Sequence, residues 1–400
     1  MSSSKTQHLS SAMMTAALFL AIAGASSMGQ AQTYSLLYQF KAGNDGTQPY
    51  AGLTIDTKRD ALYGTTYADG SFASGTVFKV ASSGESVLHS FTGTDGDGEY
   101  PFNGGNLALD VAGDLYGSTP DGGSYASGCG SLGCGMVFKI DQSGNEKVLY
   151  QFGNYPDGAT PYGSLVADES NNLYGTTATG GTSGAGTVFE VDQSGNETIL
   201  YNFGSGADDG FEPFAGLVRD KEGNLYGTTL EGGPGGGGTV FKVNASGEET
   251  VLYGFGSASG DGILPWAGLT LDAKGNLYGT TDAGGANGLG TVFKISPKGT
   301  ETIIYSFGPA PDGNSPNEGN GVVLDPSGNL YGTTSSGGSF GLGTAFKIDT
   351  AGKETILHSF SGNDGKVPAG GLSRDPKGDL YGAASGGGAY GGGVIFRITP

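Results

Sequence analysis

Leu225-Tyr226-Gly227-Thr228-Thr229 is one of seven copies of a single phrase. The others begin at Leu62, Leu115 (Leu-Tyr-Gly-Ser-Thr), Leu173, Leu277, Leu330 and Leu380 (Leu-Tyr-Gly-Ala-Ala). Their tyrosines stand at 63, 116, 174, 226, 278, 331 and 381, a step of 50 to 58 residues. A repeat of about this length marks a solenoid, a propeller or an array.

The unit around residues 215–255 resolves into four strand-like runs: 215–220, 224–229, 239–243 and 249–255. Each is short and rich in β-branched or aromatic residues. Asp-x-x-Gly-Asn (Asp272 to Asn276, Asp192 to Asn196) suits a tight turn between the first two runs and between the last two. A glycine loop, Glu231 to Gly238, joins the middle pair. Four antiparallel strands in a meander make a propeller blade. A β-solenoid coil is shorter and lacks two hairpins per repeat. At the ends, Tyr34 to Phe40 reads as a fourth strand and Val394 to Ile398 as a third. The fold class expected is therefore all-β: a seven-bladed propeller closed by its N-terminal strand, which removes the open edges of an unclosed array.

Residues 1–31 carry Lys5, an apolar run from about Ala12 to Ala25, and Gly29-Gln30-Ala31. This is the pattern of a secretory signal peptide, with cleavage expected after Ala31 and residues 32–400 forming one domain. The protein is expected to be secreted, periplasmic or on the cell surface, as a monomer with no membrane span after cleavage. Eighty glycines and sixteen prolines approach the composition of disorder, yet they fall at fixed places between apolar runs. The formal charge of −20 repels nucleic acid, which is excluded as a partner. Cys129 and Cys134, the only cysteines, are expected to form a disulfide in the longest unit.

The recurring order Gly-Asn-Leu-Tyr-Gly-Thr-Thr, Gly-Gly, Gly-Thr-Val-Phe-Lys, Glu-Thr-Val-Leu-Tyr-Ser-Phe resembles the GloVer (Gloeo_Verruco, choice-of-anchor tandem) repeat of exported bacterial proteins. The resemblance covers about residues 33–399 and implies a propeller-like exported protein. It brings no catalytic residues.

Every loop between blades contains Asp-Gly, at Asp45, Asp95, Asp157, Asp209, Asp261, Asp312 and Asp364. A proline follows, and in five units an aromatic: Tyr50, Phe102, Tyr162, Phe214 and Trp266. These residues are candidates for a ring of carboxylates and aromatics at the channel mouth, fit for a glycan. The competing reading is turn chemistry, in which Asp caps its turn and Gly takes a positive φ. Asp95, Asp97, Asp208 and Asp209 are candidates for weak Ca2+ binding, and no other cofactor is expected. His89 and His358 replace tyrosines in fourth strands and read as packing positions. The expectation is a non-catalytic binding or structural module for a glycan or another exported protein. The alternative is an extracellular glycan-active hydrolase or lyase using Asp or Glu at the channel mouth.

Overall fold

Each repeat folds as an antiparallel sheet whose innermost strand is the shortest. In blade 4 the order from the axis outward is Val218–Arg219, Leu225–Thr229, Thr239–Val243 and Glu249–Gly254. The computed structural model describes residues 32–400 apart from 95, 103, 104, 124–128, 130, 154, 317 and 318. The expected signal peptide, Asp95 and Asn317-Glu318 lie outside the described residues. Seven such sheets form the propeller. The seventh is completed by Thr33–Gln39, which pairs antiparallel with Val394–Thr399 from Thr33↔Thr399 to Gln39↔Val394.

The inner strand is shorter than the run 215–220 because its leading residues serve a neighbour. Thr176 Oγ1 of blade 3 donates to the Ala215 carbonyl at 2.9 Å. A Cβ on Gly163 would lie 2.6 Å from that same oxygen. Close to the axis, backbone groups find partners across blades and the ladder stops.

The repeated phrase assigns one task to each residue. Leucine enters the core between blades, as Leu225 and Leu277 do. The tyrosine hydroxyl returns to the turn aspartate; Tyr226 reaches Asp220 at 2.9 Å. That aspartate accepts the Asn224 backbone N–H at 2.8 Å and its Nδ2 at 2.6 Å, closing an Asx-type turn. Glycine makes room: a Cβ at Gly279 would sit 2.5 Å from Phe293 Cζ, and the other six copies are equally tight, at 2.5–2.7 Å from their phenylalanines. The last threonine bonds across to the third strand, Thr281 Oγ1 to Thr291 Oγ1 at 2.8 Å.

Phe293 and its six equivalents each meet a phenylalanine from the end of the preceding blade's outer strand. The pairs run from Phe40–Phe78 to Phe360–Phe396, with centroids 5.0–5.2 Å apart and rings steeply tilted. All fourteen rings are fully buried. Edge-to-face pairs contribute about 0.5–1.5 kcal/mol each beyond burial.

Gly279→Ala is expected to lower unfolding free energy by about 1–3 kcal/mol through overpacking against Phe293, read from urea denaturation. Deleting residues 32–41 removes the closing strand and Phe40, so its melting temperature should fall well below that of the full ring. Melting at the parental temperature would refute closure as a stability determinant.

Candidate functional site

The loops between blades are zipped to the glycine loops of the blades they enter. Gly210–Phe211 pairs with Glu231–Gly232, and 158–159 and 262–263 pair likewise with 179–180 and 283–284. Gly158, Gly210, Gly262 and Gly313 are absent from the positive-φ backbone; a Cβ at Gly210 would instead strike Thr229 Oγ1 at 2.1 Å. The reading of Asp-Gly as a positive-φ turn is corrected at these positions: glycine is there for close approach.

Positive φ falls two residues later, on the residue before each proline. Gln48, Tyr100, Thr160, Glu212, Leu264, Ser315 and Val367 have φ of 50–60°. Such strain persists only where the surroundings hold it. Here Leu264 N–H donates to Gly237 O of the preceding blade, and its carbonyl accepts the Asp282 N–H of its own blade. The strained residue clips two blades together and sets the direction of the proline and the aromatic that follows.

The five predicted aromatics consequently form one arc. Tyr50–Phe102, Phe102–Tyr162, Tyr162–Phe214 and Phe214–Trp266 have centroids 5.2, 6.0, 5.0 and 4.7 Å apart. All five are partly exposed. Tyr67 and Tyr100, stacked at 5.1 Å, widen the arc beside Tyr50. Glu99 and Asp121 are cross-strand neighbours at this end. Burial, and then the negative charge of Glu99, push the Asp121 carboxyl up to about 6. Burial above all raises the hydroxyls of Tyr67 and Tyr162, and the charge of Glu99 above all raises that of Tyr100, with Asp121 adding to each. A raised carboxyl beside a second acidic side chain is a pairing of the kind acid–base chemistry uses.

This recurring architecture decides the family. The chain belongs to the Gloeobacter/Verrucomicrobia repeat family. Its model matches residues 25–222, 126–322 and 317–400. Among solved structures, a candidate 6-phosphogluconolactonase of Bacteroides fragilis is 18% identical, with a TM-score of 0.50 over 83% of this chain and 90% of that one. A puromycin-hydrolyzing peptidase of Mycobacterium tuberculosis is 11% identical, with a TM-score of 0.54 over 91% of this chain and 53% of that one. At these identities the likeness is one of fold. No curated protein is detectably similar in sequence.

The repeat's aspartates stand apart from the aromatic arc, on the outer rim. The carboxylates of Asp45, Asp157, Asp209, Asp261 and Asp312 accept the hydroxyls of Tyr38, Tyr150, Tyr201, Tyr253 and Tyr305 on outer strands, at 2.7–3.2 Å. Asp364 meets His358 Nε2 at 2.9 Å. In the loop between blades 1 and 2 this place is held by Asp97, which accepts the Thr92 N–H, and Gly98 holds the ladder position of Gly158. Asp208 is exposed, while Asp209 is buried and bonded to Tyr201 and Ser205. The Cys129–Cys134 disulfide is formed, with Cα atoms 4.7 Å apart.

The channel is crossed by residues missed in the sequence. Asn320 Nδ2 donates to Asn106 Oδ1 at 2.6 Å, and Asn106 Nδ2 to Ser373 Oγ at 3.1 Å. Blades 2 and 6 are not neighbours, so this bond passes through the axis. A cavity of about 440 Å³ continues along the inner strands, lined by Thr54, Thr270 and Arg374 among others. The signal was available: Leu107 lies six positions after Pro101 and Val322 six after Pro316, whereas Leu165 lies four after Pro161.

Between blades, a glutamate near the start of the next outer strand faces the rim aspartate at six of the seven interfaces. Burial first, then that aspartate, raise the carboxyls of Glu85, Glu197, Glu249, Glu301 and Glu354 to about 7. The native state then holds protons that an unfolded chain, titrating near 4.5, releases. This stability is present below the unfolded value and lost as pH rises through the folded one. The melting temperature should fall between about pH 5 and pH 8, and a combined Glu197→Gln, Glu249→Gln, Glu301→Gln variant should show a flatter slope. A slope of equal size in the variant would dismiss these groups as its source.

Proposed function

We propose that this propeller is an exported binding module that takes a glycan across its loop face, over the arc from Tyr50 to Trp266. One observation carries the reading: five aromatic rings from five successive blades lie in contact and partly exposed, each placed by a strained residue before proline. Flat apolar rings with a polar edge suit the alternating CH and OH faces of a sugar. An arc spanning several blades suits several residues of a chain rather than one monosaccharide. Export rests on the leader pattern in residues 1–31 and on the disulfide.

A second reading, a glycan- or lactone-opening hydrolase, is favoured by Asp121, whose raised carboxyl lies beside Glu99 and Tyr67. A raised carboxyl beside a second carboxyl group is hydrolytic equipment. The rim aspartates named from sequence have no part in it.

A glycan array with parallel hydrolysis assays separates the two. Binding should be lost in Trp266→Ala and Phe102→Ala, with the melting temperature nearly kept because both rings are partly exposed. Stacking of this kind contributes roughly 0.5–1.5 kcal/mol per ring, so each loss should be several-fold or more. Turnover abolished by Asp121→Asn with binding retained would establish the hydrolase instead. No glycan bound by the parent protein would overturn the first reading, and no turnover of any glycan or lactone would overturn the second.

A further inference from the structure

One of the seven rim contacts is open. At five of them a tyrosine hydroxyl reaches its aspartate directly, and at a sixth His358 does so at 2.9 Å. Between blades 1 and 2 the same place is held by His89. Its Nε2 stands 3.6 Å from Asp97 Oδ1 and 3.8 Å from Glu146 Oε2, too far for a hydrogen bond to either. His89 Nε2 and Glu146 Oε1 are buried without a hydrogen-bond partner. Three potential ligand atoms, one from each residue, lie within 4.8 Å of one another.

Those separations suit an ion in the gap. Donors about 2.0–2.2 Å from one zinc stand roughly 3.4 Å apart in a tetrahedral set. Asp97 is held by the backbone N–H groups of Thr92 (2.8 Å, to Oδ2) and Gly98 (2.6 Å, to Oδ1), and the His89 ring packs edge-on against Phe91 at 4.8 Å. Backbone support of this kind orients ligands before the metal arrives. The other rim histidine supplies an internal comparison. Where Glu146 pairs with Ile140, Tyr34 pairs with Ile398. Tyr34 stacks on His358 at 3.9 Å, so the position of the second carboxylate is filled by a ring.

We propose that His89, Asp97 and Glu146 form a zinc-class divalent metal site that clamps blade 1 to blade 2 at the rim. One imidazole nitrogen and two carboxylates suit zinc; calcium takes six to eight oxygens. Three protein ligands leave a fourth position for water. The clamp replaces the direct hydrogen bond that the other six interfaces possess.

The test titrates the metal-stripped, folded chain with zinc chloride by calorimetry and follows the melting temperature. One equivalent should bind and raise the melting temperature, and calcium chloride should do neither. His89→Tyr installs the side chain used at five other rim contacts, so it should fold normally. It should nevertheless lose affinity by more than the roughly 10–100-fold that follows loss of an outer-shell partner. His358→Tyr should bind zinc as the parent does, and Asp97→Asn should bind weakly. A parent protein that takes up no stoichiometric zinc would overturn the proposal. So would His89→Tyr binding zinc as tightly as the parent, since the uptake would then belong to scattered surface carboxylates.

Discussion

The ring depends on a repeated interlock of one glycine and two phenylalanines. The glycine of the second strand leaves space that a third-strand phenylalanine fills, and that ring receives a phenylalanine from the preceding blade. The contact is local on one side and crosses blades on the other, so it couples blade folding to ring closure. Phe40 extends the pattern over the join: without the N-terminal strand, Phe78 would lose its partner at the edge of blade 1. Seven core clusters, one per interface, follow from this geometry.

The same geometry separates the polar residues by radius. Aspartates of the loops between blades are drawn to the outer strands by tyrosine hydroxyls. The aromatics a few residues later are turned toward the axis by the strained residue and proline between them. One short loop thus sends its carboxylate outward and its ring inward. Repeated carboxylates hold the rim, and the rings are left partly exposed on the loop face.

Positions that break the symmetry carry the individuality of the protein. Asn106 and Asn320 close the axis where two loops are longer. Tyr67 and Asp121 differ from the small or apolar residues of most other units and bring hydroxyl and carboxyl groups to one end of the arc. His89 replaces a tyrosine and lengthens a contact that is otherwise a hydrogen bond. A seven-fold scaffold tolerates such departures because each interface has its own phenylalanine core.

Much of the architecture was legible in the chain itself. The phrase Leu-Tyr-Gly-Thr-Thr counted the blades, Asp-x-x-Gly-Asn marked the hairpins, and the mismatched ends identified the closing strand. These are local signals: strand length, turn chemistry and periodicity act over a few residues. The predicted aromatics do come together, because each occupies an equivalent place in an equivalent loop. The aspartates beside them read the same way and do not join them, since the direction of a side chain depends on backbone held by neighbouring blades. The Asn106–Asn320 bond joins residues 214 apart in sequence, and the His89, Asp97 and Glu146 cluster spans two blades. No local pattern encodes such meetings. Only closing the ring brings those atoms within reach of one another.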